Sequence, residues 1–212
     1  MHPFPMDEAH LRWEFELISR QPLAWIQRAV ALRRSSDVLF ERYVRAVHVH
    51  QELFPVDESS GLPTPVNRPM TDEELVAFGE RGLGPVACML LGLAIENLAK
   101  ALLVHRQPEL VSGEGIGESV GNHGIRSLLS TLKLDVDAHT EQALGYLSDL
   151  VLWAGKYPVP KNPLKAVEPA PDGRVVYRPV GALPPIRDAS LPVYRALADA
   201  LKAEVGDALN IL

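Results

Sequence analysis

Apolar side chains recur along most of this chain at steps of three and four residues, the spacing that places them on one face of an α-helix. Typical helix starts precede several of these stripes, including Asp7, Pro22 and the capping box Thr71-Asp72-Glu73-Glu74. Ser35-Ser36 could interrupt the second helix. The pattern predicts an all-α bundle of about six helices, near residues 7–20, 22–54, 86–106, 122–132, 137–154 and 190–212.

Two proline-rich stretches separate these helices, at residues 55–69 and 158–192. Proline lacks a backbone donor and restricts the preceding residue, so both stretches should be irregular. Within the second, Asp172-Gly173 stands between Val167 and the run Val175–Tyr177, which predicts a small hairpin. We therefore divide the chain into a bundle over 1–160, a proline-rich loop or hairpin over 161–188, and a C-terminal helix over 189–212 that docks on the bundle or on a dimer partner.

The longest uncharged stretch, Leu83 to Ile95, is too short to cross a bilayer and predicts a buried central helix. The single cysteine, Cys88, lies within this stretch and should behave as a small buried hydrophobe. One cysteine provides neither a disulfide nor a thiolate metal site, and the N-terminus does not resemble a secretory signal. We expect a cytoplasmic protein without a membrane span, metal or cofactor.

The charge distribution is uneven along the chain. The 212 residues carry 21 basic and 27 acidic side chains, a net charge of -6, yet residues 20–50 contain six arginines against two acidic residues. Arg34, Arg42 and Arg45 fall on one face of the predicted second helix, where guanidinium groups could bind phosphate. The simpler interpretation is a solvated face, or an ionic contact with an acidic neighbour, and the acidic overall balance favours it.

Familiar catalytic motifs are missing: there is no phosphate-binding loop ending in Gly-Lys-Ser/Thr, no Gly-x-Ser-x-Gly elbow and no His-Glu-x-x-His helix. Three short segments nevertheless resemble, in order, the motifs of the HEPN domain family, named for nucleotide binding in higher eukaryotes and prokaryotes. Leu91–Leu103, with Glu96 and Lys100, resembles its Glu-x-x-x-Lys-x-Leu-Leu helix. His123–Leu128 is similar to its His-x-Leu-x-x-Leu helix start, and Trp153–Pro158 to its terminal aromatic-x-x-Arg-Tyr-Pro.

The resemblance covers roughly residues 75–160 and implies an all-α bundle that usually dimerises. Many members of that family are RNases, often toxins or defence proteins, which pair an arginine with a histidine four to six residues later. This chain has Lys156 in the position of that arginine, and residues 157–164 contain no histidine. Lysine loses the guanidinium fork, and without an imidazole there is no evident acid or base for 2′-hydroxyl attack.

We therefore expect an HEPN-like binding or interaction module without the nuclease pair, which acts in a toxin-antitoxin or defence context. Its partner would be a nucleotide, RNA or a protein, and the chain would be a homodimer. The candidate binding residues come from the basic helix and the three motifs: Arg34, Arg42, Arg45, Glu96, Lys100, His123, Lys156 and Tyr157. Several of these side chains could instead be structural, with Glu96 and Lys100 fixing helix register.

Two alternatives remain open from the sequence. One is a divergent, metal-independent endoribonuclease that uses Arg42 or Arg45 with His48 or His50, although on a continuous helix these pairs would point more than about 100° apart. The other is a structural adaptor that dimerises through the last helix.

Overall fold

A computed structural model describes residues 7–57, 59, 62–112, 114–154, 167–169, 175–177 and 183–206. These residues are mostly helical, which confirms the all-α expectation. The estimate of about six helices is too low, because short helices lie in the connections between the long ones. The helices are α1 Glu8–Ser19, α2 Pro22–Leu53, α3 Asp72–Gly79, α4 Leu83–Arg106, α5 Glu118–Gly121, α6 Ile125–Thr131, α7 Ala138–Asp149 and α8 Leu183–Val205.

The first two helices begin where the sequence predicts. The Asp7 side chain accepts a hydrogen bond from the His10 amide at the start of α1, and Pro22 is the first residue of α2. However, α1 buries none of its residues, although its apolar spacing suggested a core-facing side. The expected interruption of α2 is also wrong: Ser36 is buried within this continuous helix, where its hydroxyl donates to the Ala87 carbonyl.

The central helix α4 follows α3 through a 3₁₀ turn, Glu80–Gly82. Both halves of the predicted capping box are formed at the start of α3, between Thr71 and Glu74. Helix α4 packs against α2, α6, α7 and α8, and most of its residues are buried. By length and composition the stretch Asp72–Arg106 could cross a membrane, but 72% of its most apolar window is buried inside the protein, as in the central helix of a helical core.

The connection from α4 to α6 is more ordered than the glycine-containing loop expected there. A 3₁₀ turn at Pro108–Leu110 leads into a small antiparallel hairpin, in which β1 Val111–Ser112 pairs with β2 Gly115–Ile116. The single turn of α5 follows. Gly124 is the N-cap of α6, whereas Asn122, the expected cap, instead accepts a hydrogen bond from the Gly124 amide.

Helix α7 starts with Asp137 as its N-cap and continues into a π-helical turn, Leu150–Ala154. Strands β3 Val167–Pro169 and β4 Val175–Tyr177 pair antiparallel, as in the predicted hairpin. Helix α8 begins well before the expected cap Ser190, whose hydroxyl donates to the Ile186 carbonyl inside the helix. Helix α8 packs on α4 and α7 of its own chain. The apolar core is formed by these elements with α2 and α6, and its largest fully buried side chains include Ile26, Tyr43, Leu98, Leu102, Ile125, Leu128, Leu144 and Leu147.

Candidate functional site

Residues from two of the three sequence motifs meet at the carboxylate of Glu96. Glu96 and Lys100 lie one turn apart on α4, and they are only 2% and 4% exposed. The Lys100 Nζ atom is 2.7 Å from Glu96 Oε1, and His123 Nδ1 is 3.0 Å from the same oxygen. One carboxylate oxygen therefore holds a cation from its own helix and an imidazole from the loop before α6.

The loop containing His123 is fixed by its neighbours. Asn122 Oδ1 accepts from the Gly124 amide at 2.7 Å, and Asn122 Nδ2 lies 3.1 Å from Ser127 Oγ. Directly after this loop, Ile125 and Leu128 of α6 are buried in the core. This anchoring on both sides places the His123 ring beside α4.

Lys100 is enclosed by an aromatic ring as well as by its ion pair. Its Nζ atom lies 5.8 Å from the centre of the Trp25 ring on α2, within the range of a cation–π interaction. The Trp25 indole N–H donates to the Ser19 carbonyl at 2.9 Å, which fixes the orientation of the ring. The contacts of Lys100 thus come from both α2 and α4, and the buried pair is held between these two helices.

The outer part of this site is open. The His123 side chain is 60% exposed, while the second carboxylate oxygen, Glu96 Oε2, is buried and has no hydrogen-bond partner among the described residues. Because an ionised carboxylate only accepts, the Nδ1 atom of His123 carries the proton in this contact. With the proton on Nδ1, the other ring nitrogen, Nε2, can accept a hydrogen bond from a hydroxyl or a base N–H that reaches this exposed side chain. We name Glu96, Lys100 and His123 the carboxylate–imidazole site.

A second charged cluster forms where α2 meets the 3₁₀ turn. Glu80 is 7% exposed, and its Oε1 atom accepts from Nε of Arg42 at 3.0 Å and from Nη2 of the same residue. Arg45 Nη2 lies 3.4 Å from Glu80 Oε2. The Glu80 pKa lies below its usual value, mainly because Arg42 donates hydrogen bonds to the carboxylate. Arg42 and Arg45 thus make the ionic contact with an acidic neighbour that was one of the two sequence interpretations.

The remaining arginines of α2 differ in their pairing. Asp37 Oδ1 accepts from Arg33 Nη2 and, at the same distance of 2.8 Å, from Arg187 of α8. Arg34 is exposed and makes no ion pair with any residue that the structure describes. The basic face predicted from the sequence is therefore partly neutralised by contacts with other elements. Glu80 was missed because nothing in the Gly79–Gly82 sequence signals a partner on a distant helix.

The histidines of α2 contact neither Arg42 nor Arg45 among the described residues. His48 Nε2 lies 3.3 Å from Glu52 Oε1, and His50 Nδ1 lies 3.3 Å from Arg81 Nη1. Burial, and then the charge of Arg81, lower the pKa of His50 below its usual value. The arginine–histidine pairs of the nuclease alternative are thus each engaged elsewhere.

Two of the predicted site residues, Lys156 and Tyr157, lie outside the described residues. Cys88 is buried, and burial raises the pKa of its thiol to about 12, which disfavours the thiolate. Within the described ranges, no group of three or more His, Cys, Asp or Glu side chains is arranged to hold a metal ion.

Comparisons with protein-family models, curated proteins and solved structures found no match for this chain. The structure brings together Glu96, Lys100 and His123, and it separately brings Arg42 and Arg45 to Glu80.

Proposed function

We propose that this chain is an HEPN-like binding module that binds a nucleotide unit, free or within RNA, and does not cleave it. The observation that supports the proposal is the convergence of Glu96, Lys100 and His123, which come from two of the motifs that resemble that family. The exposed edge of the site, at His123, would contact the ligand.

The chemistry of the carboxylate–imidazole site suits a nucleotide. A ribose hydroxyl or an exocyclic amine can donate to the Nε2 atom of His123, while Glu96 keeps the ring in one orientation. A polar ligand that reached deeper could also donate to Glu96 Oε2, which has no partner among the described side chains. Lys100 neutralises Glu96, so an approaching phosphate meets no net negative charge at this carboxylate.

The absence of cleavage follows from the missing acid–base partners. Lys156 stands where the resembling motif has arginine, and no histidine follows it in residues 157–164. On α2, Arg42 and Arg45 are bound to Glu80, while His48 and His50 contact Glu52 and Arg81. A homodimeric state, a cytoplasmic location and a role in toxin–antitoxin or defence systems belong to the same proposal.

A binding titration tests the proposal directly. We would measure the fluorescence anisotropy of a labelled ten-nucleotide RNA at low salt, with unlabelled uridine monophosphate as competitor. Replacing His123 with alanine should weaken the binding of both ligands about 5- to 10-fold, because one hydrogen bond to the ligand is lost. His139→Ala is the matched control, because His139 is exposed on α7. No binding by the wild-type chain, or equal effects of the two variants, would contradict the proposal.

A cleavage assay separates the module from the nuclease alternative. Total RNA would be incubated with the wild-type chain and with the double variant His48→Ala/His50→Ala, in the presence of EDTA. Intact RNA in both reactions is the expected result. Metal-free cleavage that disappears in the double variant would establish the endoribonuclease alternative instead.

A further inference from the structure

Arg81 is a half-buried cation without an acidic partner among the described residues. It lies in the 3₁₀ turn between α3 and α4, directly after Glu80. The Glu80 carboxylate is already bound to Arg42 and Arg45, and it makes no ion pair with Arg81. Two guanidinium groups thus bind the Glu80 carboxylate, and among the described residues no acidic side chain compensates the charge of Arg81.

The groups that do contact Arg81 are uncharged rings. Its Nη1 atom lies 3.3 Å from His50 Nδ1, and because guanidinium only donates, the imidazole accepts this hydrogen bond in its neutral form. The Arg81 Cζ atom is 5.6 Å from the centre of the Phe78 ring. His50 in turn packs against Phe54 and Phe78, with ring centres 4.7 and 5.7 Å away. Arg81 is therefore held in place by aromatic neighbours, and most of its donors have no partner among the residues that the structure describes.

This combination matches the two parts of a nucleotide. A guanidinium fork donates to phosphate oxygens, and nucleobases stack on aromatic side chains. Phe78 is 37% exposed, so part of its ring is accessible to a base. The acidic residue next to Arg81 in the sequence, Glu80, is already paired with Arg42 and Arg45. An anion at Arg81 would supply the missing counter-charge.

We propose that Arg81, with Phe78 and His50, is a second contact for single-stranded RNA, which binds one phosphate and stacks one base. This inference rests on the proposed function and specifies its ligand. Glu96 lies thirteen residues beyond Leu83 on α4, which corresponds to about 20 Å along the helix axis. An oligonucleotide is long enough to span this separation, whereas a single nucleotide occupies only one site, so the chain should favour an RNA strand over a free nucleotide.

The test compares a ten-nucleotide uridine RNA with uridine monophosphate in the anisotropy titration, for Arg81→Gln and His123→Ala. Arg81→Gln should weaken the binding of the oligonucleotide about 10-fold at low salt. It should also make the plot of log affinity against log salt concentration less steep, by about 1 in the slope. In the same variant, the affinity for uridine monophosphate, which competes at the His123 edge, should change by less than about 2-fold. The matched control is Arg195→Gln, which removes one exposed arginine charge on α8, and it should leave both affinities unchanged.

Two further variants distinguish the loss of an RNA contact from the loss of the folded state. Arg81→Lys keeps the charge without the fork, and should restore part of the affinity; Phe78→Leu fills the same space without a stacking face, and should also weaken the oligonucleotide. Equal behaviour of Arg81→Gln and Arg195→Gln would overturn this inference while leaving the carboxylate–imidazole site intact. An effect of Arg81→Gln without any effect of His123→Ala would instead reject the His123 edge and keep the Arg81 contact.

Discussion

The hydroxyl of Ser36 donates a 2.7 Å hydrogen bond to the Ala87 carbonyl and thereby joins the middle of α2 to the first turns of α4. Both helices carry residues of the candidate sites: α2 contributes Trp25, Arg42 and Arg45, and α4 contributes Glu96 and Lys100. The relative position of these helices thus sets the distance between Trp25 on α2 and Lys100 on α4.

The first prediction concerns this hydrogen bond. Ser36→Ala should lower the free energy of unfolding by about 1 kcal/mol, because a buried hydrogen bond is lost without a large cavity. The adjacent Ser35→Ala, at an exposed position of the same helix, should change it by less than about 0.5 kcal/mol. Urea denaturation followed by circular dichroism measures both values, and equal effects of the two variants would show that the Ser36 bond contributes nothing.

The second prediction concerns the buried ion pair at the carboxylate–imidazole site. Glu96→Leu should destabilise the protein by about 3–5 kcal/mol, because it leaves the Lys100 charge buried without its partner. The double variant Glu96→Leu/Lys100→Met should recover much of this loss, since two apolar side chains need no compensation. Urea denaturation of Glu96→Leu, Lys100→Met and the double variant closes the double-mutant cycle and measures the coupling free energy of the pair. A double variant as unstable as the sum of the single ones would argue against a mutually dependent pair.

The local features of the fold were predictable from sequence, and the contacts between distant segments were not. Asp7, Thr71 and Asp137 cap helices through residues three positions away, so a short window contains the whole interaction. Glu80 is 38 residues from Arg42, and no local pattern identifies which acidic side chain a basic helix will contact. The carboxylate–imidazole site lies between these cases: the motifs identified Glu96 and His123, while only the fold brings them to 3.0 Å.

The capping box of α3 gives a prediction for pH. Hydrogen bonds from Arg68, and then from the Thr71 backbone, lower the Glu74 pKa from 4.5 to about 2. A carboxyl with a lower pKa in the folded state stabilises the fold above pH 4.5, and this contribution is lost as the pH falls from 4.5 to about 2. Arg68→Gln should therefore lower Tm at pH 6, and the difference from wild type should shrink towards pH 2. Glu73→Gln, in the same exposed first turn, is the control; a pH-independent difference for Arg68→Gln would contradict the assignment.

Two glycines should respond in opposite directions to replacement by alanine. A Cβ atom at Gly84 would lie 2.8 Å from ring atoms of buried Tyr43 and 2.6 Å from Leu183 Cδ1, so Gly84→Ala should cost about 1–3 kcal/mol. At Gly145, inside α7, nothing lies within 4 Å of the added atom, and alanine should stabilise the helix by up to about 1 kcal/mol. Thermal melts of both variants show whether each substitution raises or lowers Tm. A stabilising Gly84→Ala would mean that α2, α4 and α8 are less closely packed there.

The last prediction distinguishes docking of α8 on its own bundle from docking on a second chain. Leu197 is fully buried within one chain, so Leu197→Ala should cost about 2–5 kcal/mol through the cavity it leaves. Because that packing is intramolecular, the loss should not depend on protein concentration, and light scattering should give the same mass as wild type. Lys202→Ala, at an exposed position of α8, should change neither quantity. A lower mass, or a destabilisation that disappears at high protein concentration, would place Leu197 at a subunit interface and support the adaptor alternative.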